Sequence, residues 1–135
     1  MSHIEIFSPS QLGKPLGQYS QITRVKASEF IFIAGQLSTD VAGAVIGEHD
    51  FDAQCTQVFR NIEAALTSVG CDWQNVVQFT TYLVHSQDIP KFMKFRERHF
   101  PGYFKNGVYP PNTLLMIDRL VQEPFLVEVQ TIAAL

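Results

Sequence analysis

The chain has 135 residues, 46% of them hydrophobic, and a formal net charge of -3 at pH 7. That is enough apolar material for one packed core and too little length for two ordinary domains, so residues 1–135 read as a single domain. The ten Lys and Arg residues are scattered rather than clustered, which argues against nucleic acid, a polyanion that needs a basic face, as a partner.

In chain order, Ile4 and Ile6 alternate with His3 and Glu5, the pattern of a short half-buried strand that Ser8-Pro9-Ser10 ends. A polar loop with Gly13, Pro15 and Gly17 leads to Tyr19. The β-rich segments Ile22–Lys26 and Phe30–Ala34 are separated by Ala27-Ser28-Glu29, which suggests a tight antiparallel connection. Phe30-Ile31-Phe32-Ile33 is apolar on both faces, as in a central strand covered on two sides. Gly43 and Gly47 mark a turn-rich loop.

From Phe51 to Val69 the apolar residues Phe51, Cys55, Val58, Phe59, Ile62, Ala65, Leu66 and Val69 recur at three- and four-residue spacing, predicting a helix with Asp50 as N-cap and Gly70 as its stop. Val76–Val84 reads as a strand, with Asp72 capping a short turn before it. A second helix is predicted from near Asp88, with Pro90 in its first turn and Ile89, Phe92, Met93, Arg96 and Phe100 along it, until Pro101-Gly102 breaks it. Tyr103–Pro111 is a loop, and Thr113–Ile117 and Phe125–Ile132 supply the last strands.

The order β-β-β-α-β-α-β-β argues for an α+β fold, a mixed sheet with both helices on one face. The other face then needs cover, and a partner subunit in a closed homo-oligomer is the simplest one. Two cysteines, Cys55 and Cys71, with no other sign of a disulfide-held domain, suggest reduced thiols. The N-terminus lacks the basic and apolar pattern of a secretory signal, and no stretch approaches the roughly 18 apolar residues of a membrane helix. A cytoplasmic protein without a membrane partner is expected. The four histidines show neither i, i+4 pairing nor a neighbouring cysteine or carboxylate pattern, so no metal is expected.

Five ordered segments carry a resemblance to a known family: Pro15-Leu16-Gly17-Gln18-Tyr19-Ser20-Gln21, Phe32-Ile33-Ala34-Gly35-Gln36-Leu37, the stretch Phe51–Leu66 with Gln54, Asn61 and Ile62, Val76-Val77-Gln78-Phe79-Thr80, and Leu126-Val127-Glu128-Val129-Gln130. Together they resemble the RidA/YjgF reactive-intermediate deaminases over nearly the whole chain. The resemblance implies a chorismate-mutase-like α+β fold, a homotrimer with small-molecule pockets between subunits, and hydrolysis of small enamines and imines without a cofactor.

Carried over by the resemblance, Tyr19 and Gly35 are substrate-binding and Glu128 is catalytic, handling water and protons. The arginine that grips the substrate carboxylate in the family falls on Asn112, in Pro110-Pro111-Asn112-Thr113-Leu114. Hydrogen bonds to charged groups contribute roughly 1.5 to 3 kcal/mol, so an uncharged amide there weakens carboxylate binding by about ten- to a hundredfold. Leu114 stands where relatives often carry cysteine, and Met93 where some bring asparagine. With a loop Tyr103–Pro111 that is longer than usual, these changes suggest a more apolar, more enclosed site and a less acidic ligand.

Arg119 is a poor substitute for the missing charge, since an odd separation from Asn112 sends the two to opposite faces of an unbroken strand. Lys14, Arg24 and Lys105 remain candidates by long reach or from a neighbouring subunit. Each site residue also has a plainer role: Glu128 as an inter-subunit hydrogen-bonding group, Tyr19 as packing, Asn112 as a turn former and Gly35 as a bulge. Two functions stand, an imine or enamine deaminase of altered specificity and a non-catalytic ligand-binding or regulatory trimer. A ribonuclease or translation-inhibitor role is disfavoured by net acidity.

Overall fold

The computed structural model describes residues 2–135. Strands β1 (His3–Phe7) and β2 (Ile22–Lys26) form an antiparallel ribbon, and β3 (Phe30–Gln36), α1 (Phe51–Ser68), β4 (Val76–Leu83), α2 (Ile89–Tyr103), β5 (Asn112–Met116) and β6 (Val127–Ala134) complete the expected order. The main sheet runs β3-β6-β4-β5, antiparallel except for the β4–β5 pair, so it is mixed.

Two expectations are corrected. β2 does not hairpin onto β3: it pairs with β1 in a separate two-stranded sheet, tied to β4 by the Thr23 hydroxyl donating to the Val77 carbonyl at 2.8 Å. The Ser28 and Glu29 N–H groups of the connection donate instead to the Leu135 carbonyl. Nor is β3 central. It is an edge strand, and Phe30 and Phe32 are 51% and 74% exposed on the face away from the helices.

The helices form for the reasons the spacing gives. The Asp50 carboxylate accepts from the Ala53 N–H to open α1, and Gly70 takes φ +76° just beyond its end. Cys55, Val58, Phe59, Ile62 and Leu66 put one stripe of α1 into the core. Asp72 and Asn75 make reciprocal capping bonds in the turn before β4. In α2, Pro101 does not break the helix, which continues to Tyr103 and closes with the Phe104 N–H on the Phe100 carbonyl.

Alternate residues of β6 (Val127, Val129, Thr131, Ala133) and of β4 (Phe79, Thr81, Leu83) are buried on the helix side. Phe59 is the hub between layers, with ring centroids 5.3 Å from Phe95, 5.6 Å from Phe100 and 5.9 Å from Phe79. Buried Gln54 donates to the Gly47 and Pro124 carbonyls and accepts from the Leu126 N–H, pinning the approach to β6. The other face carries Phe32, Gln78, Tyr82, Leu115, Glu128 and Gln130 and lies away from both helices, with Ile117, Arg119, Leu120 and Val121 bordering it beside Tyr82 and Glu128.

Candidate functional site

The residues singled out in the sequence fall into two groups on opposite faces of the main sheet. On the face away from the helices, β3 advances three residues from Ile33 to Gln36 while β6 advances two between Thr131 and Val129, a bulge that holds Gly35. Glu128 of β6 lies over it: a Cβ on residue 35 would meet the Glu128 carboxylate oxygen, with Cδ at 2.6 Å and Cγ at 2.8 Å. The bulge expected of Gly35 is present, and the missing side chain makes the room that the Glu128 carboxylate fills.

Tyr82 stands opposite Glu128 across the β4–β6 pair, with its hydroxyl 3.4 Å from Gln130 Oε1. Burial pushes the Glu128 carboxyl above its usual pKa, with no opposing charge among the causes. The group holds its proton more readily than an exposed glutamate and remains open enough to exchange it. A cavity of about 460 Å³ runs from Glu128 and Tyr82 to Ile117 and Arg119.

On the helix face, at the β5 edge, Tyr19, Met93, Asn112 and Leu114 line one cavity of about 310 Å³ with Leu16, Ile89 and Arg96. Asn112 opens β5, and its Oδ1 accepts from the Thr81 hydroxyl at 2.7 Å. The Tyr19 hydroxyl accepts from the Leu16 N–H at 3.1 Å, folding the loop back on itself and laying the ring near Arg96. Four of the six residues meet here, whereas Gly35 and Glu128 meet on the far side of the sheet.

Arg119 borders the Glu128 cavity and not the Asn112 one, but β5 ends at Met116, so strand alternation does not reach Arg119. Its donors are taken by the Leu120 and Val121 carbonyls and the Glu123 carboxylate, the last at 2.9 Å. Lys14 and Lys105 are exposed, and Arg24 faces Glu5 at 3.6 Å. None of the cations weighed in the sequence borders the Asn112 cavity.

Arg96 does, and sequence reasoning passed over it as one more position of the α2 stripe. A signal was present, since a charge among Phe92, Phe95 and Phe100 is a buried charge if the stripe faces the core. The cavity is accordingly not the uncharged one that Asn112, Leu114 and Met93 suggest. Among the described residues no group of three or more His, Cys, Asp or Glu is placed to hold a metal ion, and no helix is long and apolar enough to cross a membrane.

Residues 10–135 match the family model described as Endoribonuclease L-PSP. Over 133 residues the chain is 30% identical to a RutC family protein of Synechocystis sp., covering 98% of this chain and 97% of that one. It is 24% identical to the 2-iminobutanoate/2-iminopropanoate deaminase of Mus musculus, over 90% of this chain and 94% of the relative. A crystal structure from the conserved Rid family of Yersinia pestis superposes with a TM-score of 0.86 at 22% identity, over 98% of both chains.

Proposed function

The chain belongs to the RidA/YjgF family, and from that premise we propose that it is a cytoplasmic hydrolytic deaminase of small reactive imines or enamines, assembled as a homotrimer with its pockets between subunits. The observation that carries this reading is Glu128: a half-buried carboxylate of raised pKa seated over Gly35 on the sheet face away from the helices, beside a cavity. A carboxylate so placed suits a group that must both take and return a proton near neutral pH.

Imine hydrolysis needs those two transfers. The ionised Glu128 accepts a proton as water oxygen adds to the carbon of the C=N bond, and the nitrogen takes a proton to give a carbinolamine. Further proton movement makes the nitrogen a neutral leaving group, the carbon–nitrogen bond breaks, and ammonia and a carbonyl compound depart. Enamines enter the same sequence as their imine tautomers.

Glu128 cannot reach the Tyr19–Asn112 cavity of its own chain through the sheet, so a pocket containing both faces a neighbouring copy. The exposed Phe30 and Phe32 and half-exposed Leu115 on the Glu128 face support such a contact.

A second reading, a trimer that binds a metabolite without turning it over, is favoured by Asn112 itself, because the family's charged grip is absent at that position. Freshly generated imines separate the two: a 2-imino acid and a neutral, amide-bearing imine are offered to the purified protein and to Glu128→Ala. Hydrolysis of either imine by the native protein, lost in the variant, supports the deaminase. No hydrolysis of either supports the binding trimer, and hydrolysis unchanged in Glu128→Ala removes Glu128 from the reaction. Light scattering gives the number of subunits in the same preparation.

A further inference from the structure

Arg96 is only 2% exposed, yet its Nε and Nη1 have no hydrogen-bond partner among the described residues. Nη2 reaches only the Met93 Sδ at 2.9 Å, a weak acceptor. The faces of the guanidinium are satisfied, with Cζ 4.8 Å from the centre of the Phe92 ring and 5.5 Å from that of Tyr19. Its edge donors are not.

Burial lowers the Arg96 pKa to about 10, which still leaves it cationic at neutral pH. No carboxylate of the described residues forms an ion pair with it, although buried charges in proteins are normally paired. The lid over the guanidinium is thin: a Cβ on Gly17 would lie 2.6 Å from Met93 Cε and 3.0 Å from Arg96 Nη2. The glycine backbone and a flexible thioether lie directly against this side of the guanidinium.

We propose that Arg96 is the anion-recognising residue of the Tyr19–Asn112 cavity, and that the cavity takes a small metabolite bearing one carboxylate. The ligand carboxylate replaces the Met93 thioether at the guanidinium edge as the Met93 side chain swings aside. Asn112, whose Oδ1 is occupied by Thr81, has its amide donor left for the ligand. The positive charge that position 112 lacks is thus supplied from α2, and the ligand is as acidic as a 2-imino or 2-oxo acid rather than less so. The assignment rests on the ligand pocket of the proposed function but not on its chemistry.

The test uses pyruvate and its uncharged amide, pyruvamide, as probes of nearly equal shape, titrated calorimetrically into the native protein and into Arg96→Met. Methionine keeps an unbranched, flexible apolar stem and removes an unpaired buried charge, so the variant is expected to fold and to melt no lower than the native protein. Native protein should bind pyruvate better than pyruvamide. Arg96→Met should lose about ten- to a hundredfold in pyruvate affinity with pyruvamide unchanged.

Equal pyruvate affinity in the two proteins overturns the assignment, as does native protein that binds both probes alike or neither. Should Arg96→Met not fold, Arg96→Gln replaces it with the same expectations. A protein that binds pyruvate through Arg96 but hydrolyses no imine would end the deaminase reading and leave this one standing. Imine turnover with no dependence of carboxylate binding on Arg96 would do the reverse.

Discussion

The Glu128 carboxylate occupies the space above residue 35 that any side chain larger than hydrogen would fill. The two residues come from adjacent strands, and the bulge in β3 brings them together. Gly35 does not have the positive φ found at four other glycines, so alanine there is opposed by the carboxylate and not by the backbone. Because the obstacle is the end of a flexible side chain, Gly35→Ala should cost only about 1 kcal/mol of stability. It should nonetheless remove as much imine hydrolysis as Glu128→Ala. Adding Gly35→Ala to Glu128→Ala should then cost nothing further, a coupling measured by the double-mutant cycle.

The raised pKa of Glu128 gives stability a pH dependence of definite sign. Below the ordinary carboxylate value of 4.5 the group is protonated both folded and unfolded, and it carries no titration penalty. As pH rises through its higher folded-state pKa, the unfolded chain gives up the proton more readily, and stability is lost. Glu128→Gln cannot ionise. Its Tm should match that of the native protein near pH 4 and exceed it above pH 7, in thermal melts across that range.

Much of this architecture follows from local rules that the sequence displays. The period of α1, the Asp50 cap and the Asp72–Asn75 turn involve neighbours in the chain, so residue spacing is enough to find them. Phe30–Ile33 misleads because strand apolarity reports that both faces are covered without telling whether by the same chain or by another. The strand lies at the edge of the sheet with Phe32 exposed, so an apolar run does not by itself place a strand at the centre. Pro101 stays inside α2 although it has no N–H for the Glu97 carbonyl, and the helix runs only two residues beyond it. The candidate residues can be named from the sequence one by one, but their division between two faces of a sheet needs the pairing of β4 with both β5 and β6. Arg96 was visible as a letter in an apolar stripe; that its donors go unanswered is a property of packing alone.

Phe59 measures how firmly that packing is held. It is 1% exposed and its ring meets Phe95, Phe100 and Phe79 from α2 and β4. Phe59→Ala should cost about 3 to 5 kcal/mol, a large share of the roughly 5 to 15 kcal/mol of a typical domain. Urea unfolding should show a lower midpoint at an unchanged slope. A loss under 1 kcal/mol would mean that α1 and α2 are not joined through this ring.

Asn112→Arg tests whether positions 96 and 112 share one cavity. The substitution breaks the bond from the Thr81 hydroxyl, leaving a fully buried donor unpaired, and sets a second cation in the cavity that Arg96 borders. The unpaired hydroxyl alone costs about 1 to 3 kcal/mol, and repulsion between like charges adds to it, so the ligand-free variant should melt below the native protein. A carboxylate answers both charges at once. Saturating pyruvate should therefore raise the Tm of Asn112→Arg by more than it raises that of the native protein, whereas pyruvamide should not. A variant as stable as the native protein and no more responsive to pyruvate would show that the new side chain points away from Arg96, and that the two positions serve different surfaces.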